Sequence, residues 1–135
     1  MKEKTFKATI ENTAAAVAFV EEALEEAGCS MKAQMQIDVA MDELFVNIAR
    51  YAYAPGEGDA TVRFEMDEET RTATITLIDR GVPFNPLAAA DPDTTSSAEE
   101  RPIGGLGIFL VRKTMDEVLY EHKDGCNILT IRKKI

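Results

Sequence analysis

From Ser30 to Tyr53 the chain sets apolar residues at alternating steps of four and three, with Ile37, Met41, Leu44, Ile48 and Tyr51 falling on one side of a helix. That face must be covered, so the segment is the element against which the remaining chain has to pack. Val39 and Val46 put apolar surface on another side, which predicts contact with both a sheet and a second helix. Ser30 supplies a cap at the start, and Pro55-Gly56-Glu57-Gly58 breaks the helix after Tyr53. Beside the apolar face stand Glu43 and Asn47, four apart and therefore stacked. A carboxylate and an amide oxygen are hard donors, suited to magnesium and to orienting a hydroxyl or a water. A polar pair at the rim of a helix reads equally well on these two residues alone.

The flanking segments supply the cover. Lys4 to Ile10 alternates Phe6, Ala8 and Ile10 with polar residues, the period of a half-buried strand. After a cap at Asn12 or Thr13, Val17, Val20, Leu24 and Ala27 recur at helical spacing until Gly28. Ala60 to Met66 and Arg71 to Asp79 form a hairpin across the acidic turn Asp67 to Thr70. From about Val82 to Ile103 regularity stops, and the prolines and polar run there predict a lid. Gly104-Gly105-Leu106-Gly107 opens a helix reaching about Met115, and Glu117 to His122 with Asn127 to Lys133 make a closing hairpin. The order predicts one domain over residues 1–135: an α/β (α+β) two-layer sandwich whose mixed, mostly antiparallel sheet of about five strands is covered on one face by three helices.

Charge and cysteine usage narrow the chemistry. A net charge of −9 opposes nucleic acid and anionic membranes as partners, which leaves small molecules and proteins. No apolar run is long enough for a membrane span, Met1-Lys2-Glu3-Lys4 does not lead into a secretion signal, and a cytoplasmic address is expected. Cys29 and Cys126 lack zinc-site spacing and read as structural thiols, while the single His122 cannot build a two-histidine metal site.

Two further motifs have chemistry to offer. Asp79-Arg80-Gly81 ends an apolar strand, so its carboxylate stands at the edge of the core and needs donors, which an adenine amine could supply while Gly81 lets a flat base approach the backbone. A plain turn after a strand accounts for the same residues. Gly104-Gly105-Leu106-Gly107 places free N–H groups at a helix start where phosphate could sit, although glycines ahead of a helix also serve as a hinge. The run is neither a P-loop nor a dinucleotide fingerprint, because the Lys113-Thr114 pair comes too late and Leu110 holds the third glycine position.

Taken in order, Glu43…Asn47, Asp79-x-Gly81, the polar lid and Gly105-x-Gly107 resemble the GHKL, or Bergerat-fold, ATP-binding superfamily. Within it, Glu-x-x-x-Asn-x-x-x-Tyr-x-Tyr and the Gly-Gly-Leu-Gly…Met115-Asp116-Glu117-Val118 run are most similar to the bacterial anti-sigma-factor serine/threonine kinases. The resemblance implies ATP and Mg²⁺, with Asn47 on the metal and Glu43 as base or orienter for the attacking hydroxyl. It implies that Asp79 pairs with adenine, Gly81 admits the base, and Gly105, Leu106 and Gly107 carry the lid and its phosphate contacts. Arg101 would reach the terminal phosphates from the lid, and Thr130 would make a water-mediated adenine contact. The chain departs from many members in having Tyr51 after the asparagine where they carry histidine, and Ile103 between Arg101-Pro102 and the glycines.

The function so implied is that of a homodimeric anti-sigma factor that phosphorylates a serine of a small antagonist protein with ATP and otherwise sequesters a sigma factor. The alternative is a nucleotide-dependent binding switch with little phosphotransfer, which Glu43 disfavours because binding alone needs no base there. The catalytic domain of a histidine kinase is a third possibility, which lacks a histidine ahead of the ATP-binding motifs.

Overall fold

The computed structural model describes residues 1–88 and 105–135. Strands β1 (Lys2–Lys7), β2 (Asp59–Asp67), β3 (Thr72–Asp79), β4 (Glu117–Lys123) and β5 (Cys126–Lys134) form one sheet in the order β1-β2-β3-β5-β4. Every neighbouring pair in it is antiparallel, so no parallel pair is needed to fulfil the expected sandwich. Helices α1 (Thr13–Glu26), α2 (Met31–Asn47) and α3 (Gly105–Thr114) complete the second layer, with α2 in contact with both of the others.

Alternation decides which side of the sheet the helices cover. Val62 and Phe64 of β2, Ile75 and Leu77 of β3, and Leu129 and Ile131 of β5 are buried, while the residues between them are more exposed. Onto that face α2 sets Ile37, Met41, Leu44 and Phe45, and α1 adds Val20 and Leu24. The opposite face is polar: Glu3 lies opposite Arg63 and pairs with it at 2.9 Å, and the Thr5 and Thr61 hydroxyls meet at 2.9 Å.

Helix ends follow their sequence signals. Ser30 Oγ accepts from the Ala33 N–H at 3.2 Å, which caps α2. Gly28, at φ +74, ends α1 in a Schellman turn, with the Cys29 N–H donating to Leu24 O at 3.0 Å and the Gly28 N–H to Glu25 O at 3.1 Å. Asn12 precedes α1 without capping it, because its amide donates instead to Lys7 O at 2.8 Å.

Three expectations need correction. The first strand stops at Lys7; Ile10 starts a 3-10 turn and is 52% exposed, since the chain has already bent toward α1. Val39 is 55% exposed and so is not the buried surface expected of it, although α2 does contact both α1 and the sheet. The long helix does not run as one α-helix to Tyr53: after Asn47 it widens into a π turn over Ile48–Ala52. That extra residue shifts the helical phase, burying Ala52 and turning Tyr51 outward. Among the described residues no helix is long and apolar enough to cross a membrane.

Candidate functional site

The end of β3, the C-terminal half of α2 with its π turn, and the start of β5 enclose a pocket. Leu44, Ile48, Ala52, Leu77 and Leu129 give it apolar walls, and Asn47, Asp79 and Asn127 give it polar groups. Tyr51 and Phe84 line it too, their rings 6.0 Å apart and tilted by 35°. This mixture, apolar walls around a few placed polar groups, is what a flat heterocycle needs.

Asp79 is 5% exposed, as a carboxylate closing an apolar strand should be. Its donors come from the protein. Oδ1 accepts from the Gly81 N–H at 2.9 Å and from Asn127 Nδ2 at 2.9 Å. Gly81 itself lies against the π turn: a Cβ there would run into the carbonyl and side chain of Ala52, whose oxygen accepts the Val82 N–H at 2.8 Å. The Cβ direction at Gly81 is thus taken up by Ala52, and the glycine is needed to bring the end of β3 up to the π turn.

Glu43 is half-buried one helical turn before Asn47, against the first turn of α3, which Gly105, Leu106 and Gly107 form. A Cβ on Gly107 would collide with the Glu43 carboxylate, so a glycine there is a condition of the two helices meeting. Burial pushes the Glu43 carboxyl above its ordinary range, Asp42 adds to the rise, and Arg50 opposes it. Glu43 and Asn47 therefore share one side of α2, with the Glu43 carboxylate beside the N-terminus of α3, where N–H groups lack helical partners. An amide oxygen and a carboxylate oxygen fit Mg²⁺, which takes few protein ligands and completes its shell with water and phosphate.

Not every expected residue joins this group. Thr130 pairs with Thr76 on the face of the sheet away from the helices, out of phase with buried Leu129 and Ile131, and is not part of the pocket wall. Arg101, and the lid beyond residue 88, lie outside the described residues. Asn127 was not expected. It is 6% exposed and uses every hydrogen-bonding position of its amide: Nδ2 donates to Asp79 Oδ1 and, at 2.9 Å, to Val82 O, while Oδ1 accepts from the Phe84 N–H at 3.2 Å and from the Tyr120 hydroxyl. Its phase with Leu129 and Ile131 is the signal that places it inward.

Comparison with known proteins agrees with the geometry. Residues 6–133 match the histidine kinase-like ATPase domain. The serine/threonine-protein kinase BtrW of Bordetella bronchiseptica is 28% identical over 102 residues, covering 76% of this chain and 71% of that protein. The serine-protein kinases RsbW of Bacillus mycoides and Bacillus cereus are 30% identical over 95 residues, covering 67% of this chain and 58% of theirs. With nearly its whole length matched and an antiparallel sheet under three helices, the chain belongs to the histidine kinase-like ATPase family.

Proposed function

We propose that the protein is an ATP- and Mg²⁺-dependent serine kinase that phosphorylates a small antagonist protein, and that it holds a sigma factor when that antagonist is not engaged. The observation that carries the reading is the placement of Glu43, half-buried and beside Gly107 at the start of α3, on the same helix side as Asn47 and one turn from a pocket floored by Asp79. A nucleotide-binding module has no use for a carboxylate there. The kinase names of its relatives support the same reading.

In this mechanism Asp79 accepts from the adenine amine, and Leu44, Ile48, Leu77 and Leu129 cover the faces of the base. The N-terminal N–H groups of α3 meet the phosphates. Asn47 would hold Mg²⁺, which would offset the charge of the phosphate oxygens. Glu43 takes the proton of the incoming serine hydroxyl as its oxygen bonds to the γ-phosphorus and the bond to the ADP oxygen breaks. A base whose carboxyl is shifted upward by burial is better matched to that transfer at neutral pH than an ordinary glutamate.

Transfer of label from γ-labelled ATP to the antagonist protein tests this. The parent is expected to form an acid-stable phosphoserine, and Glu43→Gln to bind Mg-ATP as the parent does while transfer falls roughly 10²- to 10⁴-fold. Full transfer by Glu43→Gln would remove the base from the mechanism. Binding without any transfer in the parent would make the protein a nucleotide-dependent switch.

A further inference from the structure

We propose that Asn127 is a positioning residue that sets base selectivity by fixing Asp79, an inference that rests on the adenine-nucleotide reading of the pocket. The orientation of its amide is not free. Val82 O can only accept and the Phe84 N–H can only donate, so Nδ2 must face Val82 and Oδ1 must face Phe84. The same orientation directs the second Nδ2 hydrogen at Asp79 Oδ1 and gives the Tyr120 hydroxyl an acceptor. Reversing the amide would set donor against donor at Phe84 and acceptor against acceptor at Val82.

Two consequences follow from a fully used amide. Asn127 has no hydrogen-bonding position left for a base, so it acts through Asp79. On Asp79, Oδ1 receives both Asn127 Nδ2 and the Gly81 N–H, which fill its two lone pairs, so a ligand amine has to be met by Oδ2 in a direction that these two bonds define. Asn127 also ties residues 82–84 to β5, and with them Phe84, whose ring sits beside Tyr51 at the pocket. One side chain thus fixes both the acceptor that reads the amine and the aromatic rim beside it. Asn127→Asp keeps the shape but points an acceptor at Asp79 Oδ1 and at Val82 O. Tyr120→Phe, which only removes one donor to Asn127 Oδ1, is the milder perturbation.

The test is equilibrium binding of Mg-ATP and of Mg-purine riboside triphosphate, which lacks the exocyclic amine, to the parent and to both variants. The parent should prefer ATP by about tenfold or more, the worth of one hydrogen bond to a charged group. Asn127→Asp should bring the ratio close to one, and Tyr120→Phe should lower it partway. A loss of general integrity would weaken both nucleotides alike and leave the ratio in place, so variants that keep the parent's ratio overturn the inference while leaving the nucleotide site standing. If Asn127→Asp does not fold, the ratio in Tyr120→Phe decides in the same way. A parent that binds both nucleotides equally overturns the adenine reading of Asp79 and this inference with it.

Discussion

Asp79 and Asp38 both bring a carboxylate into packed surroundings, and the structure treats them oppositely. Asp79, at the end of β3, meets two donors at 2.9 Å. Asp38, on the side of α2 that faces α1, meets Glu21 and Glu25, and its buried Oδ1 has no partner. Burial and the hydrogen bond and charge of Glu21 push the Asp38 carboxyl up to about 7, with Glu25 adding to the rise. One carboxylate is therefore built into the fold as an acceptor, and the other sits where burial and its acidic neighbours favour the protonated form. The difference separates a carboxylate held by donors at the end of β3 from one on α2 that is only packed.

Replacing each by leucine should show this contrast most strongly. Asp79→Leu leaves the Gly81 N–H and one hydrogen of Asn127 without an acceptor, which should lower stability by roughly 2–4 kcal/mol in denaturant unfolding. Asp38→Leu orphans no donor and should cost little at pH 8. Equal losses in the two variants would mean that the donors around Asp79 are not what distinguishes it.

Titration sharpens the contrast. A carboxyl raised in the folded state contributes stability that is fully present below its unfolded value and is lost as pH rises through about 7. Asp38→Asn, neutral throughout, should match the parent in acid and melt higher at pH 8, by roughly 3 °C for a gain of about 1 kcal/mol. A constant difference across the pH range would show that Asp38 is not the titrating group. Glu43 is displaced in the same direction by burial. The acid limb of phosphotransfer should accordingly lie above the ordinary glutamate value of 4.5 and disappear from the residual activity of Glu43→Gln.

Much of the architecture was legible because it rests on local periodicity. Leu129 and Ile131 declare the buried phase of β5, Ile75 and Leu77 that of β3, and Gly28 and Ser30 punctuate the helices as their chemistry requires. The π turn was not legible, since the apolar spacing from Ile48 to Tyr51 continues the helical pattern and only tertiary contact with Val82 shows the change. At the site, Glu43, Asn47 and Asp79 could be singled out as polar residues bordering apolar faces. Gly81 could be singled out but not explained, because the backbone of Ala52 that it admits comes from a distant element. Thr130 and Asn127 were open to a parity argument. Counting from Leu129 sends Thr130 to the polar face and Asn127 to the pocket, where an amide in an apolar strand must find four partners.

The pocket between α2, β3 and β5 is proposed to hold an adenine nucleotide through the Asp79 carboxylate. Calorimetric titration of Mg-ATP into the parent and into Asp79→Asn tests it most directly. The asparagine can keep its oxygen toward Gly81 and Asn127, so the variant should fold; it then presents an NH₂ group where the base amine needs an acceptor. Affinity should fall about ten- to a hundredfold, the loss expected when a charged acceptor becomes a donor facing a donor. Undiminished binding of Mg-ATP by a folded Asp79→Asn would contradict the claim.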